Sequence, residues 1–513
     1  MSPFGTMLVA NRGEIALRVM RTCQEKGIGT VAVYSRADEG SLHVQQADRA
    51  CCVGEAGARD SYMNVANIVC AALELGADAV HPGYGFLAED ARFAEICSAH
   101  GLSFIGPSAD ALLLAGDKCR MRKVAVGCGV PVLPAASGPL SRPEALRKAR
   151  DVGYPLVLKP RCGGGGRGIR LAADEDGLRG LLEEREVRAS LESGRSFLEH
   201  CLERPRHIEV QVLADREGDT RAIGLRDCSV QRRRQKMIEE APPPRLDRAM
   251  EGRLVDDAVC LSRASGFSTA GTVEFLVKGD DYFFIELNPR IQVEHTVTEV
   301  LTGLDLVWEQ IRLASGSALE RPGRRGATGA ATGSRERDCG HAIQARISAE
   351  HPGLSICNSQ HPSPPPLPPA GGKVGMGGVL RGRTEVGELR LPGGPGVRVD
   401  THLRQGCPVP HFYDPLLAKV IVWAPNRAEA LIRLRRALGE THIGGVETNL
   451  PMLEALLGSA AFEEGCYHTG LLEELEEGGC PGEKAHSPAA MDLPGAHAAI
   501  ECRVLEKGKA QWA

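Results

Sequence analysis

The first hundred residues alternate two hydrophobic rhythms. Thr6–Ala10 is a short apolar run suited to a buried strand, after which Ile15, Ala16, Val19, Met20 and Cys23 recur at helical spacing. Thr30–Tyr34, Asp78–Val80 and Leu102–Ile105 read as further strands, the last two each preceded by a helical stretch. Strand–helix–strand alternation predicts a parallel sheet. From about residue 115 the pattern changes. Pro155–Pro160 and Gly168–Ala172 predict strands joined by a glycine loop, and His207–Ala214 alternates with period two. Gly271–Val277 and Tyr282–Leu287 predict a hairpin around Lys278–Asp281. A third folded unit carries the strand-like runs Val397–Asp400 and Leu416–Val422 and a helical run, Arg427–Leu438.

These patterns divide the chain into units at 1–114, 115–320 and 338–475. The stretch 321–337 is rich in Gly, Ala and Arg, cannot bury enough apolar area to fold alone, and is expected to be a linker or insertion. Ser355–Gly372, with its run Pro364–Pro366, is expected to be an extended loop, and 476–513 a disordered tail.

Composition narrows the class. At 513 residues and 42% hydrophobic content, the chain suits a multi-domain globular protein. A net charge of -5 gives no electrostatic footprint for nucleic acid. No apolar run is long enough to span a membrane. The sequence enters its first strand without a signal peptide or an Arg/Ser-rich leader, so a cytoplasmic protein is expected, or one of a mitochondrion or plastid if a leader is missing. The 17 cysteines are scattered with no CxxC spacing, which predicts buried thiols in a reducing compartment and no zinc ribbon or disulfide framework.

Four constellations carry chemistry. Lys159 precedes a loop containing Gly163, Gly164, Gly165, Gly166 and Gly168. Successive glycines let backbone N–H groups wrap a phosphate, and a strand-to-strand setting excludes both the Rossmann fingerprint and the Walker loop. A nucleotide-closing hairpin is the reading, and a surface hairpin the alternative. In the second constellation, Glu274 and Glu286 lie symmetrically about the Lys278–Asp281 turn, so they should face each other with Cβ atoms roughly 5 Å apart. Asn288 falls on the same face as Glu286. Opposed carboxylates suit a magnesium ion that shares its sites with phosphate oxygens, against the plainer reading of an exposed charged face. Third, Arg290, Gln292 and Glu294 alternate after these ligands; an extended segment would aim a cation, an amide and a carboxylate at one cavity, able to bind and deprotonate a small oxyanion. Fourth, the cation-rich run Arg226–Glu240 implies a polyanionic ligand, with a charged surface helix as the alternative.

Together these residues resemble the biotin carboxylase family of ATP-grasp ligases. The resemblance rests on strings such as "LVANRGEIALRV" (8–19), "HPGYGFLAED" (81–90), "GGGGRGIR" (163–170), "RDCSVQRRRQKMIEEAP" (226–242), "FIELNPRIQVEHTVTE" (284–299) and "GHAIQARISAE" (340–350), which run in family order over about residues 6–475. It implies an α/β architecture: a Rossmann-like N-terminal domain, a central ATP-grasp domain with a mobile lid, and a C-terminal domain. It implies that Lys118 and Lys159 bind nucleotide phosphates, Glu199 and Leu202 form the adenine hinge, and His207 and Gln231 contact ribose and phosphate, with Leu276 and Ile443 lining the adenine pocket. Glu274, Glu286 and Asn288 would hold magnesium or manganese. Lys236, Arg290, Gln292 and Val293 would form the bicarbonate pocket, with Tyr84 at the bicarbonate or biotin site, Glu294 the general base and Arg346 the group that stabilises the biotin anion. ATP, Mg²⁺ or Mn²⁺ and biotin are thus the implied cofactors and substrates.

The sequence departs from the family at His200 (often Lys), Arg234 (usually His), Ala88 and Asp90 (usually Ser and Asn), in the inserted 321–337 stretch and in the poorly matching 351–390. No Ala-Met-Lys-Met biotinylation site and no carboxyltransferase domain follow. The chain is therefore expected to act on biotin held by a separate carrier protein, with a separate carboxyltransferase and as a homodimer, or else to be a truncated product of a longer carboxylase. Pyruvate and acyl-CoA carboxylase types are both open. Two other classes stand beside this one: a different ATP-grasp ligase, such as a carbamoyl-phosphate synthase half, and a degraded paralogue that binds nucleotide as a scaffold.

Overall fold

The computed structural model describes residues 2–164, 166, 168–319, 340–350 and 385–477. The expected linker at 321–337, the expected loop at 355–372, the tail beyond 477 and Gly165 lie outside the described residues.

The N-terminal apolar runs pair as read. Strands β1 (Thr6–Val9), β2 (Gly29–Ser35), β3 (Arg49–Gly54), β4 (Ala79–His81) and β5 (Ser103–Phe104) form a parallel sheet in the order β3-β2-β1-β4-β5. The helix Gly13–Glu25 buries Ile15, Ala16, Val19, Met20 and Cys23, the stripe that its spacing predicts. β3 escaped the sequence reading because it is the edge strand and largely exposed, so it lacks an apolar signature. It also carries a correction. Cys52 is exposed and Cys51 half-buried, and Cys70, Cys162 and Cys466 are exposed too, whereas among the described cysteines only Cys23, Cys97, Cys228 and Cys407 are buried. A sheet edge leaves Cys51 and Cys52, and the approach to the glycine loop leaves Cys162, no core to enter, while Cys70 lies on an exposed position of the helix Val65–Glu74. All the described cysteines are free.

A small antiparallel sheet follows: β6 (Ala135–Ala136), β7 (Leu156–Pro160), β8 (Arg170–Ala172) and β9 (Ser196–His200), in the order β6-β9-β7-β8. β7 and β8 flank the glycine loop, which thus runs strand to strand.

The largest element is an eight-stranded antiparallel sheet. It comprises β10 (Arg206–Ala214), β11 (Thr220–Arg232), β12 (Gln235–Ala241), β13 (Thr269–Lys278), β14 (Asp281–Asn288), β15 (His341–Ser348) and, past the two-residue β16 (Leu389–Arg390), β17 (Val397–Thr401) and β18 (Leu416–Ala424). Their order is β14-β13-β10-β11-β12-β15-β18-β17. β16 pairs separately with β19 (His442–Ile443). The cation-rich run 226–240 is therefore a β11–β12 hairpin inside this sheet, not the surface helix held as an alternative. Apart from the small β16–β19 pair, the third unit's strands join this sheet: β15 pairs with β12, and β18 and β17 continue outward from it. Residues far apart in sequence are thereby set side by side on one face.

Candidate active site

The hairpin of β13 and β14 opposes Glu274 to Glu286 in register. The Asn288 amide donates to both carboxylates, at 3.0 and 3.4 Å. This is an oxygen-rich donor set of two carboxylates and an amide whose flip would present its carbonyl oxygen, and it fits a hard divalent cation such as Mg²⁺. Lys118 reaches Glu286 at 3.0 Å and donates to the Gly163 carbonyl. Asp117 explains its placement. The Asp117 carboxylate caps the helix Lys118–Gly127 by accepting from the amides of Cys119 and Arg120, both at 3.1 Å, and pairs with Arg161 at 2.6 Å. One aspartate thus ties the glycine loop to the helix start that presents Lys118.

Beyond Asn288 the chain does not stay extended. It turns at Val293 and Glu294, where Glu294 becomes the N-cap of the helix His295–Thr302. Convergence is still achieved. Arg290 donates to Glu89 at 2.5 Å and to Asn288 at 3.2 Å. The Gln292 amide donates to Glu274 at 2.7 Å, and Glu294 accepts from Lys236 at 2.6 Å and from Arg346 at 2.9 Å. Arg346, from β15, also pairs with Glu239 of β12. Lys236 bridges three carboxylates: Glu209 at 2.6 Å, Glu294 at 2.6 Å and Glu274 at 3.1 Å.

Burial sets the electrostatics. Desolvation alone would raise the Glu294 carboxyl, but Lys236, Arg346 and Arg226 outweigh it and hold it well below the usual carboxylate range. Desolvation would lower the Lys236 ammonium, and Glu209, Glu274 and Glu294 outweigh that and raise it. Both groups are therefore charged at neutral pH.

The nucleotide-side candidates cluster around two carboxylates. Glu199, at the end of β9, pairs with Lys159 and, at 3.0 Å, with Arg122. His207 pairs with Glu274 at 2.8 Å and with the Gln231 amide at 2.8 Å. Leu276 stands opposite His207 on β13 and is half-buried, as is Leu202 just after β9. Ile443, in β19, pairs with Leu389 of β16 and is buried in the C-terminal core cluster that includes Val230, Met237 and Ile238. Tyr84 donates to Glu14.

Several participants had no role of their own in the sequence reading. Arg226 is 0% exposed and donates to Glu209, Gln211, Thr272, Gln292 and Thr298. Glu89, Glu209, Glu239 and Lys419 are likewise new. The signal for Glu209 was present: His207, Glu209 and Gln211 share one face of β10, which is polar where a buried strand should be apolar.

The departures are accommodated. Asp90 caps the helix Ala91–Ala99, accepting from the Phe93 amide at 2.9 Å, and Ala88 is buried. The His200 ring lies 3.3 Å from the Gly153 carbonyl. Arg234, at φ +65° in the β11–β12 turn, donates to the Ile169 carbonyl at 3.3 Å, so it rests against the glycine loop.

Three family profiles match in succession: "Biotin carboxylase, N-terminal domain" over residues 3–112, "Carbamoyl-phosphate synthase L chain, ATP binding domain" over 117–322, and "Biotin carboxylase C-terminal domain" over 378–474. The chain is 42% identical over 478 residues to a biotin carboxylase of Nostoc sp., covering 92% of this chain and 100% of that one. The chain belongs to the biotin carboxylase family. It is also 42% identical to a pyruvate carboxylase subunit of Methanothermobacter thermautotrophicus, over 93% of this chain and 91% of that one. A biotin carboxylase–beta-gamma-ATP complex from Campylobacter jejuni superposes with a TM-score of 0.80 at 37% identity, covering 92% and 99% of the two chains. The biotin carboxylase domain dimer of Hydrogenobacter thermophilus 2-oxoglutarate carboxylase, with MgADP, ADP and bicarbonate, gives 0.81 at 39%, covering 92% and 98%. This family uses ATP to carboxylate biotin, so the chain is a ligase of the ATP-grasp type. Among the described residues no helix is long and apolar enough to cross a membrane.

Proposed function

We propose that this chain carries out the first half-reaction of a biotin-dependent carboxylase, with Glu294 as its general base. The carrying observation is the placement of Glu294, 2.6 Å from Lys236 and 2.9 Å from Arg346, on the chain segment that follows the facing Glu274 and Glu286.

Bicarbonate sits among Lys236, Arg290 and Gln292, and Glu294 takes its proton. The low proton affinity of Glu294 alone would make it a weak base. The same cations that lower it also stabilise the dianion left behind, so the transfer stays within one positive field. The freed oxygen attacks the γ-phosphorus, the bond to the β-phosphate oxygen breaks, and ADP and carboxyphosphate result. Lys118, Lys159 and the loop N–H groups stabilise the charge spread over the transferring group. Magnesium, held by Glu274, Glu286 and Asn288, supplies further charge neutralisation when bound. Carboxyphosphate then splits into CO₂ and phosphate. The phosphate removes the biotin N1 proton, Arg346 holds the resulting anion, and that nitrogen attacks CO₂. Closure of the glycine loop keeps water from these intermediates.

Glu199 and Leu202 serve as the adenine hinge, His207 and Gln231 contact ribose and phosphate, and Leu276 lines the adenine pocket. The biotin is carried by a separate carrier protein, and a separate carboxyltransferase takes the product. The relatives matched almost end to end support that division, since one bears the name biotin carboxylase and the other is named as one subunit of a pyruvate carboxylase. A cytoplasmic homodimer fits the same reading. The test is bicarbonate-dependent ADP release from MgATP, with and without free biotin, beside Glu294→Gln. Stimulation by biotin that the variant loses supports the reading; a variant as active as the parent overturns the role of Glu294.

A further inference from the structure

Lys419 is the one lysine in the apolar strand β18, and its side chain is 0% exposed. A buried ammonium is costly unless paired and hydrogen-bonded, so its partners define what it is there for. It lies 3.0 Å from Glu14 of the N-terminal helix Gly13–Glu25 and 3.8 Å from Asp400, its cross-strand partner on β17. Its third contact is a hydrogen bond of 3.2 Å to the carbonyl of Val293, the residue before Glu294. Glu14 in turn accepts from the Tyr84 hydroxyl.

Register strengthens the case. Lys419 stands directly opposite Arg346 in the β15–β18 pair, so both side chains project from the same face of the sheet. Arg346 reaches Glu294 through its carboxylate, and Lys419 reaches the same turn through its backbone. The lysine thus joins the N-terminal sheet domain, the turn carrying the base, and the C-terminal strands at one buried point.

Resting on the carboxylase reading above, we propose that Lys419 is a positioning residue for the reaction: it fixes the Val293–Glu294 turn and, through Glu14, the Tyr84 phenol. A neutralising role for Glu14 and Asp400 alone would need no contact with the Val293 carbonyl.

The test compares Lys419→Met, Glu14→Gln and the double variant in the full chain. ADP release with biotin is read alongside amide exchange over residues 290–298. With the wild type active, Lys419→Met is expected to lower kcat by on the order of 10–100-fold with the KM for ATP little changed, as a small misplacement of reacting groups does. The His295 and Val297 amides, which bond to the Gln292 and Glu294 carbonyls, are expected to exchange faster. The double variant removes the unpaired Glu14 charge that could unfold the single one, and is expected to stay slow and fast-exchanging. A double variant with wild-type kcat and wild-type exchange overturns the proposal. The exchange arm reads the turn without turnover, so an inactive wild type would sink the carboxylase reading while this contact is still tested.

Discussion

Glu274 faces Glu286 across the β13–β14 pair, and the Asn288 amide bridges the two carboxylates. Two acidic groups on adjacent strands repel each other unless a cation divides them. In the structure Lys118 supports Glu286, while Lys236 and His207 support Glu274. Replacing Glu286 by Gln should therefore leave the fold intact and weaken the cation site. The Mg²⁺ concentration for half-maximal ADP release is expected to rise at least about tenfold, one lost ligand contact being worth roughly 1.4 kcal/mol or more. A titration showing an unchanged magnesium requirement would count against the donor set.

Arg346 spans two carboxylates, Glu239 and Glu294, from a strand that follows them in sequence by 107 and 52 residues. A lysine in its place keeps the charge but loses the planar fork. Arg346→Lys should lower kcat for biotin carboxylation by on the order of 10–100-fold, while biotin-independent ATP cleavage and the KM for ATP stay close to wild type. Equal losses with and without biotin would show that Arg346 serves the bicarbonate step instead.

The legible part of this site was local. Glu274, Glu286 and Asn288 could be placed because a hairpin turn fixes register and period two fixes the face. Arg290, Gln292 and Glu294 converge as read, though through a turn into a helix and not along a strand. What stayed hidden depends on long-range register. Arg226 meets Glu209 across β10 and β11, and meets Thr298 from a helix 72 residues away. In the sequence it is one more arginine in a basic run. Lys419 was visible only as a conflict, a lysine within Leu416–Val422, and nothing nearby names its partners. The joining of β15, β18 and β17 to the central sheet was equally hidden, since each strand could have built a sheet of its own.

Arg226 supplies a third prediction. Its guanidinium is fully buried and supports Glu209 and Gln292, which in turn hold Lys236 and Glu274. Arg226→Met would leave Glu209 buried with only Lys236 as a cation, a loss on the order of 3–5 kcal/mol of stability. Arg226→Lys keeps one charge but cannot reach five partners. It should fold with a smaller loss and show a raised KM for bicarbonate, because the Gln292 amide is no longer fixed. Urea unfolding and bicarbonate titration read the two effects separately. A Lys variant with wild-type bicarbonate KM would confine Arg226 to stability.

Buried histidines contribute to acid sensitivity: burial lowers His295 and His402 as well as His43 and His81, and the last two give a direct test. His43 and His81 are both 0% exposed. Burial lowers His43 to about 4, with Asp38 offsetting part of the effect. Burial likewise lowers His81 to about 3 from an ordinary 6.5. The unfolded chain therefore takes up a proton at each site near pH 6.5, while the folded chain refuses it until about pH 4 at His43 and about pH 3 at His81. The contribution of these two histidines is full above pH 6.5 and falls as the pH drops through that window, by about 1.4 kcal/mol per pH unit per histidine. The loss levels off only below the folded values. Asparagine at position 81 keeps an acceptor for the Gly83 amide, which bonds to the His81 ring at 3.0 Å, and removes the titration. His81→Asn should flatten the dependence of unfolding free energy on pH between about 6.5 and 4 by close to one proton, whatever its effect at pH 7. Urea unfolding at half-unit pH steps measures the slope directly, and a variant with the wild-type slope would show that His81 is protonated in the folded chain.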